Sequence, residues 1–437
     1  MQLSNFFNSD FVDYASYDNL RKIGSCIDGL KNASRKVIFT VLEKNIKEPI
    51  KVSQLANKVA EYAEYLHGSL DGVVVNLGQD FAGTNNVPLL QKKGNFGTRF
   101  AQEASAPRYI FTYGSKNLFT LFKKEDLKIL KEQMFEGERI EPVFYVPTLP
   151  LILVNGSEGV SSGFAQKILP RNPKNIIKYL TNKIQGKRNN KDLLKPFFKD
   201  FKGTVEQGET SFQWLIKGKI ERTNKNQITI SEIPVGYDLK TYIKVLKTLE
   251  DNKVILDWDD LSDKEFKFIV KMNPKDLDKL SEDEILDKLK LVKKVTENLT
   301  CLNANNQIQE FQSAEEILDY YFKVKMEYLG KRKDYLVQEL KTDLDILNAK
   351  ITFIKAILDK SLVIEKQPKD KIVKNLEKII TVKVQDSYDY LLNMPLYSLT
   401  LEKIKALTET LKNSKLKLKE TQEKTLENFW LEDLEEI

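Results

Sequence analysis

Tyr109 is the side chain whose neighbours best suit it to act as a nucleophile. It directly follows Arg108 and lies downstream of the glycine-containing run Gln91 to Arg99, QKKGNFGTR. A phenol loses its proton near pH ~10, so a nucleophilic tyrosine needs cations close by and a route for that proton. Arg108 can supply the charge, and a loop with two glycines among cationic and amide side chains can bring backbone N–H groups close to a phosphate. The competing reading is packing, because 17 tyrosines occur and most tyrosines serve as aromatic filler. His67 is the single histidine, which excludes any site in this chain that needs two. It could cap a helix, donate to an anionic oxygen or assist proton transfer. The run Asp257-Trp258-Asp259-Asp260 offers carboxylates of the kind Mg²⁺ takes. No second acidic motif accompanies it, so it reads as a solvated loop and no metal site is assigned. The basic stretch from Lys183 to Lys202 likewise reads first as a solvated face.

The elements that must position these residues follow from periodicity. Val52, Leu55, Ala56, Val59, Tyr62, Ala63 and Leu66 recur at helical spacing, with Ser53 as the expected cap. Gly68 can end that helix and Ser69 can cap a second one over Leu70 to Leu77, which gives the outline of a helix-turn-helix. Between Phe201 and Glu232, short β-prone runs separated by Gly, Asn and Lys predict an antiparallel sheet. Val337, Leu340, Leu344, Leu347, Ile351, Ile354 and Leu358 then alternate steps of three and four, the seam of a coiled coil. A second seam runs through Ile404, Leu407, Leu411, Ser414 and Leu418, so the two helices are expected to pair antiparallel around a compact unit at 360–400.

Composition sets the outer limits. A chain of 437 residues is expected to hold about three domains at ~150 residues each. A formal charge of +6, from 69 Lys+Arg and 63 Asp+Glu, permits nucleic-acid binding without requiring it. Cys26 and Cys301 are the only cysteines, far apart in sequence, which argues against a disulfide framework or a thiolate zinc site. The first residues lack the pattern of a secretion signal, and no apolar run is long enough to span a membrane, so a cytoplasmic protein is expected.

Taken in order, five segments resemble the DNA breakage-reunion (gyrase A-like) subunit of type IIA DNA topoisomerases, most nearly the medium subunit of T-even-type bacteriophage enzymes. They are DGLKNASRKVIF from Asp28, LHG at 66–68, GNFG at 94–97, VNGSEGVSSGFAQKILPRN from Val154 and ISEIPVG at 230–236. The resemblance implies an α+β, mostly helical fold. Its parts would be an N-terminal arm at 1–25, a winged-helix domain at 26–150 and a tower domain with an antiparallel sheet at 151–312. Coiled-coil helices at 313–359 and 401–437 would flank a dimerisation gate at 360–400. It places the catalytic pair on Arg108 and Tyr109 and a further active-site arginine on Arg21. Lys31, Arg35, Lys36 and His67 take DNA-contacting positions, and Val160 takes that of an apolar wedge between base pairs. It further implies a homodimer on double-stranded DNA, with ATP and Mg²⁺ bound mainly by a separate ATPase and metal-binding subunit, in the host cytoplasm if phage-encoded. Because the sequence ends just past the second seam, relaxation and decatenation are expected, not supercoiling. The alternative is a non-catalytic dimeric protein that binds and bends DNA.

Overall fold

Every paired strand among the described residues is antiparallel, and the strands are distributed over several small sheets between helices. The computed structural model describes residues 7–437; residues 1–6 of the expected N-terminal arm lie outside them. Contacts divide the chain into two compact units, one reaching to Lys325 and including Leu431–Ile437, the other Met326–Trp430. No helix of the described residues is long and apolar enough to cross a membrane.

The first unit begins with α1 (Asp10–Lys22), α2 (Asn32–Glu43), β1 (Ile50–Lys51), α3 (Val52–Tyr62), α4 (Asp71–Gly78), β2 (Leu90–Lys93) and β3 (Phe111–Gly114). Val52, Leu55, Ala56 and Val59 are all buried, so α3 forms by hiding one apolar stripe. It ends at Tyr62, short of the expected Leu66, because Glu64 adopts a left-handed φ of 50° and turns the chain. Ser53 does not cap it. The unpaired N–H groups of its first turn donate instead to Ile110 O at 3.0 Å, from Val52, and to Pro107 O at 3.4 Å, from Ser53. These two carbonyls flank Arg108 and Tyr109, so the start of α3 holds that turn in place. Ser69 does help start α4, accepting from the Asp71 N–H at 3.1 Å. β3 is the central strand of the sheet β1-β3-β2 and continues directly from the same turn.

The hairpin of β4 (Gln133–Phe135) and β5 (Glu138–Ile140) comes next, followed by the hairpin of β6 (Ser157–Val160) and β7 (Ala165–Ile168). The region expected to form one sheet forms two. One is the three-stranded sheet β14-β9-β8, from β8 (Thr204–Gln207), β9 (Gln213–Lys217) and β14 (Val292–Thr296). The other is the four-stranded sheet β10-β11-β13-β12, from β10 (Lys219–Asn224), β11 (Gln227–Glu232), β12 (Asp257–Asp260) and β13 (Phe268–Lys271). The acidic run is therefore an edge strand and not a loop: Trp258 rests on the sheet's apolar core, while Asp257 pairs with Lys271 at 2.6 Å. Charged edge residues also discourage further strand addition.

Segments 26–150 and 151–312 both lie in the first unit and are tied together by buried polar groups. Asn86 Nδ2 donates to the carbonyls of Val154, Arg171 and Phe197 at 2.9–3.0 Å, and its Oδ1 accepts from Lys199 N at 2.8 Å. Buried Arg171 forms a two-pronged pair with Glu297 at 2.6 and 2.7 Å, and Glu297 also accepts from Trp214 Nε1 at 2.9 Å. Burying such a pair is tolerable only when its remaining hydrogen-bonding groups are satisfied, as here.

A 45-residue helix, Ala314–Leu358, carries the first predicted seam. In the second unit, Leu347, Ile351 and Ile354 pack with Ile404, Leu407 and Leu411 of the helix Leu401–Glu423. Between them Leu362, Leu376, Ile380, Tyr388 and Leu391 form a small core with Ala349 and Phe353. The second seam, Ile404 to Leu418, lies within the helix Leu401–Glu423, but that helix is itself shorter than the expected 401–437. The chain leaves the helix at Lys424 and starts a new one, Leu426–Glu435, whose end lies in the first unit, where Lys123 pairs with Asp433 at 3.4 Å and Glu436 at 2.6 Å.

Ile354 is fully buried in the seam. Ile354→Ala is expected to destabilise the second unit by about 2–5 kcal/mol, the range for a buried aliphatic truncated to alanine. Urea unfolding followed by helical circular dichroism measures it.

Candidate functional site

Tyr109 projects from a turn whose backbone is fixed on both sides. Its own N–H donates to Ala106 O at 2.9 Å, and Ile110, the next residue, is buried. The tyrosine itself is 72% exposed, and Arg108 is exposed beside it. The GNFG segment supports this turn instead of cradling an anion. Gly97 has φ +86°, and a Cβ there would lie 2.3 Å from Gln102 O; its N–H is spent on Asn95 Oδ1 at 2.9 Å. Asn95 O in turn accepts from Ser105 N at 3.0 Å, and the buried Phe96 ring anchors the loop. Gly97 is needed because backbone passes backbone here, and Gly94, at φ +100°, because a Cβ would press on the Ile110 side chain at 2.9 Å.

Arg21 and Lys31 line one cleft of about 290 Å³, together with Asn76, Asn85, Asn155 and Ser157. Lys31 Nζ donates to Glu158 O at 2.6 Å. Burial pulls the Lys31 ammonium below its ordinary pKa, with the Glu158 carboxylate opposing that shift. Asn76, Asn85, Asn155, Gly156 and Ser157 also border a larger cleft of about 410 Å³ that extends to Lys167 and Lys293. The two clefts adjoin through these shared residues to form one groove with cations at both ends, of which Lys167 is paired with Glu158 at 2.7 Å. Arg108 and Tyr109 do not line it. Sequence reading missed Lys167 and Lys293, whose only signal is their return to one groove through β7 and β14.

Two residues expected to contact phosphate are engaged within the fold. Arg35 is buried, and its Nε and Nη2 donate to Asp28 at 2.8 and 3.0 Å. Lys36 is buried too, donating to Glu141 at 2.8 Å and to the Ala63 carbonyl. Both charges are consumed within the fold, and reaching a phosphate would break buried pairs. His67 is exposed in the link between α3 and α4, where its Nε2 is hydrogen-bonded to the Tyr17 hydroxyl. Val160 ends β6 with 72% of its surface exposed, an apolar side chain held out on a hairpin. Among the described residues no three His, Cys, Asp or Glu side chains gather as metal ligands.

The family profile that describes the A subunits of DNA gyrase/topoisomerase IV matches residues 21–435. The chain is 32% identical to DNA topoisomerase 2 of Plasmodium falciparum, covering 99% of this chain and 34% of that protein. It is also 32% identical to human DNA topoisomerase 2-alpha, covering 99% of this chain and 31% of the relative. It thus spans about a third of the length of these relatives. The crystal structure of the Plasmodium falciparum topoisomerase II DNA-binding, cleavage and re-ligation domain superimposes with a TM-score of 0.89 at 32% identity, covering 99% of this chain and 63% of that one.

The contrast between spent and free charges is testable on stability alone. Arg35→Gln is expected to cost about 3–5 kcal/mol by stranding the Asp28 carboxylate. Arg108→Gln should stay within ~0.5 kcal/mol of the parent. Chemical denaturation of the two variants side by side decides it.

Proposed function

The chain belongs to the family of DNA gyrase/topoisomerase IV A subunits, and we propose that it is the DNA-cleaving and rejoining part of a type II DNA topoisomerase, with Tyr109 as its nucleophile. The observation that carries this reading is an exposed tyrosine next to an exposed arginine, on a turn braced by α3 and by the GNFG loop. The Tyr109 phenol oxygen attacks a backbone phosphorus and the bond to the 3′ oxygen breaks, leaving a 5′-phosphotyrosyl link and a free 3′ hydroxyl. Arg108 and Arg21 stabilise the charge that develops on the non-bridging oxygens. One phosphodiester replaces another, so the 3′ hydroxyl can reverse the step without an energy-rich cofactor.

The groove from Arg21 and Lys31 to Lys167 and Lys293 follows the duplex backbone, where cations contribute affinity largely independent of sequence. His67 adds a donor at the edge of the helix pair, which we read as a winged helix with β1 to β3. Val160 enters a base step and bends the duplex, as apolar wedges do elsewhere. ATP hydrolysis and Mg²⁺ coordination are assigned mainly to a separate polypeptide, as in the phage-type enzymes. Relaxation and decatenation in the cytoplasm, that of the bacterial host if the chain is phage-encoded, complete the reading.

A homodimer would set two tyrosines on opposite strands. Leu396 and Tyr397 are 79% and 84% exposed in the segment that closes the second unit, and they fit a contact between copies. Leu396→Asp combined with Tyr397→Asp is expected to shift the protein from dimer to monomer in sedimentation at micromolar concentration, with folding intact. Tyr109→Phe is expected to abolish covalent protein–DNA adducts in the complex with the ATPase and metal-binding polypeptide, while DNA binding persists. If the parent protein bends DNA but forms no adduct in that complex, the non-catalytic DNA-bending reading prevails.

A further inference from the structure

Three parts of the proposed site converge on α1, whose last turns carry Tyr17, Asp18, Asn19 and Arg21. Tyr17 is hydrogen-bonded to His67, and the Arg21 guanidinium lies 5.6 Å from the centre of its ring. Buried Asp18 accepts from Ser162 N at 3.0 Å and from Ser162 Oγ at 3.1 Å, and it pairs with Lys22 at 2.9 Å. Ser161 Oγ donates to Asn19 Oδ1 at 2.5 Å. Ser161 and Ser162 form the tip joining β6 to β7, immediately after Val160.

The same hairpin is fastened to α1 at its base. Gly159 passes so close that a Cβ there would sit 2.1 Å from Lys22 O. Buried Gln166 accepts from Gly24 N at 2.9 Å and donates to Gly24 O at 3.2 Å. Hairpin and helix are thus joined at two places, and the bonds from Ser162 to Asp18 at the tip are charge-assisted and partly shielded from water, which strengthens them.

We propose that Asp18 and Ser162 are positioning residues that couple DNA bending at Val160 to the placement of Arg21. This rests on the topoisomerase reading above. A wedge entering a base step is pushed back along its own hairpin. With the tip clamped to Asp18, that displacement moves α1, and Arg21 three residues on moves with it. Without the clamp the tip yields, and Arg21 stays where it was. The coupling would let a duplex that bends readily be cut more readily, a form of selection that needs no base-specific contact.

The test uses the full chain in complex with its ATPase and metal-binding partner, on two duplexes whose central step is either a flexible TA or a stiff A-tract. Energy transfer between dyes on the duplex ends reads bending, and covalent adduct reads cleavage. For Asp18→Asn and Ser162→Ala the bend is expected to match the parent, while adduct on the TA duplex falls roughly tenfold or more, the worth of a charge-assisted hydrogen bond. The preference for TA over the A-tract in adduct yield, at equal bound DNA, should shrink, and Ser162→Thr should restore both. Unchanged adduct yield would overturn the proposal, as would bending and cleavage falling together, which would mean that the clamp only holds the hairpin. A parent complex that forms no Tyr109 adduct would overturn the functional reading itself, and this inference with it.

Discussion

The carboxylate of Asp28 is completely enclosed, and the geometry of the groove depends on how it is satisfied. It accepts from Arg35 Nε and Nη2, from Leu30 N at 2.9 Å and from Tyr145 N at 2.9 Å. An enclosed carboxylate without such donors would cost several kcal/mol, so the donors dictate the path of the link between α1 and α2. Arg21 lies just before that link and Lys31 just after it. Both reach one cleft because the link is locked, and Arg35, fully charged, is the lock and not a ligand.

A similar division runs through the other charges. Lys36 and Arg171 are held by Glu141 and Glu297 inside the fold, whereas Arg108 stands exposed and Lys31 donates to a carbonyl. Charges tied to buried partners stabilise the scaffold and leave the local field nearly neutral. Those left over mark the face available to a polyanion.

This division explains what the sequence could reveal and what it could not. The coiled-coil seam and the apolar stripe of α3 were readable because each repeats every few residues within one helix. Tyr109 stood out through its neighbours and the ordered motifs around it, and the structure leaves it exposed as a nucleophile requires. That Arg35 and Lys36 are tied up inside the fold was not legible, because whether a cation is free depends on a partner that only the fold supplies; Glu141 lies 105 residues from Lys36. The acidic run at 257–260 became a strand for the same reason, its pairing being set by β13. The clamp from α1 to the β6–β7 hairpin joins residues 142 and 144 positions apart and leaves no local pattern. The glycines of GNFG were found, but their purpose, making room for Gln102 and the turn it precedes, is visible only in three dimensions.

The central claim is that the phenol oxygen of Tyr109 carries the broken strand. Trapping the complex on a radiolabelled duplex, digesting it with trypsin and sequencing the modified peptide by mass spectrometry tests it most directly. The peptide from Tyr109 to Lys116 contains Tyr109 and Tyr113, so fragment ions must place the modification. A 5′-linked nucleotide on Tyr109 is the predicted result; the same mass on Tyr113, or on a peptide from elsewhere in the chain, would contradict it.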